Sequence, residues 1–205
     1  MAVTGRVALN QLQKNAAAQS GDVLFLTKPL GVGIVTTTQK RGEVHPEHLA
    51  EAVQSMQSLN AIGAELSAIQ GVHAMTDVTG FGLMGHLLEM CQGSGTRAEV
   101  YGEGIQTFSG VETYHAQGMV PGGAKRNFAS YGQHIRVPSG FLQDVLCDPQ
   151  TSGGLLVSVA PEHADAVVML LKARNMPHKP IGRMMESGTS SDGILIHFKE
   201  SSGSI

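Results

Sequence analysis

The segment Met75-Thr76-Asp77-Val78-Thr79-Gly80-Phe81-Gly82-Leu83-Met84-Gly85-His86 gathers the groups best suited to chemistry. Asp77 brings a carboxylate to the end of an expected strand, beside the hydroxyls of Thr76 and Thr79 and the bare backbone of Gly80 and Gly82. Carboxylate oxygen is a ligand Mg²⁺ prefers, commonly through one or two carboxylates with phosphate oxygens and water completing the shell. Asp77 is therefore a candidate for reaching a nucleotide phosphate through metal. On the motif alone, a turn or N-cap acceptor for the next backbone amides explains it equally well. Gly80, Gly82 and Gly85 also spell G-x-G-x-x-G between an expected strand and helix, the dinucleotide fingerprint. That fingerprint rests a pyrophosphate on amides at a helix N-terminus, and a carboxylate just ahead of the first glycine repels it unless a cation intervenes. The metal reading is preferred to the dinucleotide one.

A second loop, Asp148-Pro149-Gln150-Thr151-Ser152-Gly153-Gly154, puts hydroxyls and glycine amides in series. Thr151, Ser152 and Gly153 could line an anion-binding nest; a tight connection before a buried strand is the competing and slightly favoured reading. His45 and His48 lie at a helix start with no Cys or further His at zinc spacing. His86 reads as a packed or capping histidine. Cys147 sits beside Asp148, whose charge raises a thiol pKa, so it reads as structural. Lys125, Arg126 and Asn127 read as a solvated helix face.

The elements that must position these residues are legible in part. Apolar residues at steps of three or four predict one long helix over 46–70, opened by Pro46 and closed by Gly71. Helices are also expected over 82–92, capped by Gly93, and over 161–174, with short helices near 111–115 and 125–131. Strands are expected over 23–28, 72–75, 97–101, 155–159, 179–185 and 194–198. Residues 2–7 alternate like a strand with no hairpin partner. The mixture, without strict βαβ alternation, points to an α+β or mixed α/β fold: a mixed sheet packed with helices. The expected organisation is a residual strand and linker over 1–20, one domain over 21–198 and a tail over 199–205.

At 205 residues, 41% hydrophobic and 15% charged, the chain can bury a real core and is not of disordered composition. A net charge of −3, with basic neighbours only at Lys40-Arg41 and Lys125-Arg126, gives no linear basic stripe, so nucleic acid is not an expected partner. No apolar run approaches membrane-spanning length and no signal peptide is recognised, so neither a membrane nor export is expected and the expected location is cytoplasmic. Two cysteines make neither a disulfide framework nor a four-cysteine zinc site.

Four ordered motifs then amount to a likeness: residues 21–33 (GDVLFLTKPLGVG), Thr76 to Gly82 (TDVTGFG), Pro121-Gly122-Gly123 followed by 126–132 (RNFASYG), and Cys147 to Gly154 (CDPQTSGG). Their order and spacing resemble the selenophosphate synthetase (selenide, water dikinase) family, within the aminoimidazole ribonucleotide synthetase-like superfamily, over nearly the whole chain. The resemblance implies a two-domain, Mg²⁺-dependent homodimer that makes selenophosphate, AMP and phosphate from selenide, ATP and water. It further implies that this chain is the C-terminal domain. The segment with the family's Cys (or selenocysteine) and Lys, and most metal-binding aspartates, belongs to an N-terminal domain not in this sequence. Of the family's metal ligands only one carries over, onto Asp77, and no catalytic residue does. The chain alone is therefore expected to be inactive. A stand-alone binding or regulatory module that pairs with a separate N-terminal domain, and a dinucleotide enzyme, are the alternatives.

Overall fold

A computed structural model describes residues 4–187, 193 and 195–199. Its centre is a seven-stranded sheet of β1 (Val23–Leu26), β2 (Val72–Asp77), β3 (Arg97–Tyr101), β4 (Ile135–Arg136), β5 (Leu155–Val159), β6 (Gly182–Met185) and β7 (Ile196–Lys199). The order across the sheet is β2-β5-β1-β6-β3-β7-β4. The first five pair antiparallel, whereas β3–β7 and β7–β4 are parallel, so the sheet is mixed as expected. β5, a continuous apolar run broken only by Ser158, is buried along its whole length, as a strand covered on both faces must be.

The helices are α1 (Val32–Lys40), α2 (Pro46–Gln57), α3 (Ile62–Leu66), α4 (Gly82–Ser94), α5 (Val111–Ala116), α6 (Gly122–Tyr131), α7 (Phe141–Leu146) and α8 (Ala164–Ala173). On one face of the sheet, Ile34 and Val35 of α1, Leu83 and Leu87 of α4, and Val145 and Leu146 of α7 pack with Leu24, Leu156, Val100 and Ile196 from the strands. On the other, Ile62 and Leu66 of α3 and Val167 and Leu171 of α8 cover Phe25, Val72, Val157 and Val159.

The structure departs from the sequence reading at four points. The helix over 46–70 is two helices: the chain turns extended at Ser58, and Leu59 stands 82% exposed. The cause is tertiary, because Lys28 Nζ takes the carbonyls of Ser55 and Ser58 at 3.0 and 2.8 Å, while Asn60 Nδ2 turns away to donate to Gly153 O at 2.8 Å. α4 ends at Gly95, whose φ of 65° needs glycine; Gly93 instead lets Ala16 approach, a Cβ there falling 2.7 Å from it. Helix α1 carries no expectation, since its Val, Ile and Thr residues are indifferent helix formers. It forms because Val32, Ile34, Val35 and Thr38 are buried and its first amides are capped from afar.

The fourth concerns the leader. Residues 4–8 form no strand, and residues 2 and 3 lie outside those described. A single turn of 3₁₀ helix follows, then Lys14 pairs in parallel with Ala74 at the edge of β2, with Met75 N donating to Lys14 O at 3.1 Å. Ala18 is buried, its N–H donating to Ser94 Oγ at 3.0 Å. The tail expected over 199–205 lies, beyond Lys199, outside the described residues.

Candidate functional site

Antiparallel pairing of β2 with β5 ends at Asp77 opposite Leu155, which brings the two loops singled out in the sequence to one rim of the sheet. They are sewn together by their backbones. Val78 N donates to Gly154 O at 2.8 Å, and Gln150 N to Thr79 O at 3.0 Å. Asn127 Nδ2 donates to both Gly80 O and Cys147 O at 2.9 Å, and the Tyr131 hydroxyl donates to Phe81 O. The motif around Asn127 and Tyr131, read as a solvated face at Lys125, Arg126 and Asn127, thus clamps the turn that follows Asp77. Asn127 is buried, a correction to that reading.

Within this frame Asp77 is exposed and lines an open groove of about 710 Å³ with Lys14, Asn60, Thr76 and Leu155. Thr76 and Thr79 are half-buried, Gly80 is exposed with open space around it, and Thr151 and Ser152 are exposed on the same rim. Ser152 adopts φ 50°, a left-handed conformation rare for a side-chain-bearing residue. Gly82 and Gly153 are different. A Cβ on Gly153 would fall 2.2 Å from Val78 O, and one on Gly82 would fall 2.7 Å from the Cys147 carbonyl carbon. These two glycines admit neighbouring backbone and are buried.

His86 is a capping histidine. Its Nε2 accepts from Thr79 N at 3.0 Å, which makes it the unprotonated nitrogen. Burial lowers its pKa, opposed by the charges of Asp77 and Glu89. Asp148, fully buried, accepts from Gly33 N at 2.8 Å and Gln150 Nε2 at 2.9 Å, so the acceptor at the N-terminus of α1 is the protein's own side chain. Burial outweighs those donors and pushes its carboxyl up to about 7. Burial likewise pushes the Cys147 thiol up to about 11, as suits a structural cysteine.

Sequence reasoning missed Lys28. It is 6% exposed, and its ammonium donates to three carbonyls, Ser55 and Ser58 at the end of α2 and Ser152 at 2.8 Å in the rim. A lysine seven residues after a glycine carries no periodic signal; only the fold shows that three chain segments converge on it. No group of three His, Cys, Asp or Glu side chains able to hold a metal occurs among the described residues. Asp77 with the rim hydroxyls therefore fits one corner of a Mg²⁺–phosphate site, not a complete one.

Solved structures share this fold. The fold resembles thiamine-monophosphate kinase from Stenotrophomonas maltophilia (TM-score 0.65, 17% identity, covering 94% of this chain and 54% of that one). It also resembles the hydrogenase maturation protein HypE solved in complex with ATP (TM-score 0.68, 18% identity, 96% and 52%). Residues 19–193 match the family described as AIR synthase related protein, C-terminal domain, and the chain belongs to that family. Among curated proteins it is 45% identical over 199 residues to selenide, water dikinase of Haemophilus influenzae strain 86-028NP, covering 97% of this chain and 57% of the relative. The Yersinia pestis selenide, water dikinase is 51% identical over 193 residues (94% and 54%). The chain spans about half the length of the curated relatives it matches.

Proposed function

We propose that this chain is the C-terminal half of a selenide, water dikinase and supplies one carboxylate, Asp77, to a Mg²⁺–ATP site completed by an N-terminal half. The observation that carries this reading is the exposed Asp77 at the end of β2, ahead of a turn held by His86, Asn127 and Tyr131, in a chain similar to dikinases along almost its whole length. Mg²⁺ bound there would neutralise phosphate charge during transfer. The protein's own part is to hold the Asp77 carboxylate rigidly and to present the Thr151 and Ser152 hydroxyls on the same rim. Phosphoryl transfer depends on several charges positioned around the phosphates, and one carboxylate cannot cradle a triphosphate. The isolated chain is thus inactive, and ATP, selenide, the N-terminal half and a second copy are partners of the intact enzyme.

The dinucleotide reading is less well supported. β2 and β3, the strands on either side of α4, are not neighbours but have β5, β1 and β6 between them, so the glycines do not open a βαβ unit of adjacent parallel strands, and the space beside Gly82 and Gly85 is taken by Cys147 backbone and by Tyr131 and Phe81. Incubating the chain with ATP, Mg²⁺ and selenide tests the proposal: AMP release should not exceed that of a protein-free control. Selenide-dependent AMP from the chain alone would overturn it.

A further inference from the structure

The leader ahead of β1 is fastened to the body of the protein. Lys14 pairs in parallel with Ala74 of β2, and its carbonyl accepts from Met75 N at 3.1 Å. Asn15 Nδ2 donates to Glu89 Oε1 at 2.9 Å, Ala16 lies where a Cβ on Gly93 would fall 2.7 Å from its own, and Ala18 N donates to Ser94 Oγ at 3.0 Å. Residues 14–18 are thereby held against the edge of β2 and the last turns of α4, although they form no helix or strand of their own. Ordering such a segment costs backbone entropy, which these bonds and the burial of Ala18 offset. The charged residue this fixes in place is Lys14.

Lys14 lines the same groove as Asp77, Asn60 and Thr76, and among the described residues lining it Lys14 is the one cation. Ala74 and Asp77 stand three residues apart on β2, so at about 3.3 Å per residue and about 4.8 Å between strands the α-carbons of Lys14 and Asp77 lie about 11 Å apart. Neither charge is matched inside the protein. Among the described residues Lys14 and Asp77 are ion-paired neither with each other nor with another side chain. Glu89, the carboxylate that touches the leader, is taken by Asn15 and does not line the groove. Lys28, the other cation at the rim, already donates to three carbonyls. An ammonium and a carboxylate that share a groove without pairing leave both open to one ligand carrying both signs. Mg²⁺ held by phosphate is such a ligand: the ion suits the carboxylate, and the phosphate oxygens suit an ammonium on a flexible four-carbon stem.

We propose that Lys14 is a phosphate-binding residue of this site, its ammonium donating to a phosphate oxygen of the nucleotide whose Mg²⁺ Asp77 holds. The proposal rests on the reading of Asp77 given above, so the groove is one that an N-terminal half completes and not a face that must stay open. At about 710 Å³ it is of the roughly 300–1,000 Å³ size usual for small-ligand sites. No basic run and no periodicity marks Lys14 in the sequence; its place in the site comes from the pairing of the leader with β2.

The test is titration calorimetry of a non-hydrolysable ATP analogue, in the presence of Mg²⁺, with a full-length protein containing this chain, and a thermal melt of each variant. Lys14→Met keeps an unbranched stem and the backbone bond to Met75 and removes the charge. It should bind the analogue about ten- to a hundredfold more weakly at an unchanged melting temperature. Lys14→Arg, which restores a point charge, should stay within about threefold of wild type. Raising Mg²⁺ should recover binding in part for Asp77→Asn and not for Lys14→Met, because only the first change touches a metal ligand. Lys40→Met, on α1, should bind as wild type does. Wild-type affinity in Lys14→Met beside weakened binding in Asp77→Asn overturns the inference and leaves the Asp77 reading standing. So does a loss that Lys14→Arg does not recover, or one that excess Mg²⁺ relieves. Undiminished analogue binding in Asp77→Asn would instead contradict the Asp77 reading, and this inference with it.

Discussion

Asp148 and His86 are buried titratable groups beside the rim, and each makes stability depend on pH with its own sign. The Asp148 carboxyl is held near 7 in the folded protein, far above an unfolded aspartate, so folding favours its protonated form. Its contribution is complete below the unfolded pKa of about 4 and is lost as pH rises toward 7, by up to about 4 kcal/mol. Asp148→Asn keeps an acceptor for Gly33 N and abolishes that dependence; denaturant melts of both proteins from pH 4 to 8 should therefore diverge as pH rises, with wild type losing ground. An unchanged difference across that range would remove Asp148 from the account. For His86 the sign is opposite. Its lowered pKa means stability present above about 6.5 and lost as pH falls, because protonation places a second donor against Thr79 N–H. Amide exchange at Thr79, corrected for intrinsic rate, should therefore quicken on acidification while β5 amides stay protected.

Lys28 links residue to element, since its ammonium ends α2 and holds the Ser152 turn at once. Lys28→Met leaves three carbonyls without that donor and should cost about 2–4 kcal/mol, with the fastest gain in amide exchange at residues 152–155. The same contact explains why the apolar periodicity over 46–70 does not become one helix. Leu59 fits the pattern yet is exposed, because periodicity reports which residues suit a helix and not what a buried cation takes from its carbonyls. Strand β5, by contrast, was legible to its ends, as was the run of β3, where apolar content and turn residues agree with burial. The leader divides in two on the same grounds. Removing residues 1–12 deletes exposed Val7, Leu9 and Leu12 and should change thermal stability by less than about 0.5 kcal/mol. Removing 1–20 also deletes buried Ala18, the Lys14 bond to Met75 and the Gln19 N–H bond to Asp22, and should cost about 2 kcal/mol or more. Equal melting temperatures for the two truncations would contradict that division.

Across the whole molecule, strand pairing does what local sequence cannot: it brings residues 76–82, 127–131 and 147–154 to one rim and clamps them there. The motifs were each visible in the sequence, Asp77 and the hydroxyls of Thr151 and Ser152 among them. Their division of labour was not, because whether a glycine faces solvent, as Gly80 does, or admits backbone, as Gly82 and Gly153 do, depends on residues far away in the chain. The central claim is that Asp77 is a metal-binding carboxylate of a shared phosphate site and not a turn cap. The most direct measurement is Mg²⁺-dependent ATP turnover by a full-length protein containing this chain, with Asp77→Asn against wild type and a thermal melt of each. Asn caps a turn about as well as Asp but carries no charge for Mg²⁺. The account predicts a loss of turnover of about a hundredfold or more, partly restored by raising Mg²⁺, at an almost unchanged melting temperature. Full turnover at ordinary Mg²⁺ in the Asn variant would contradict it.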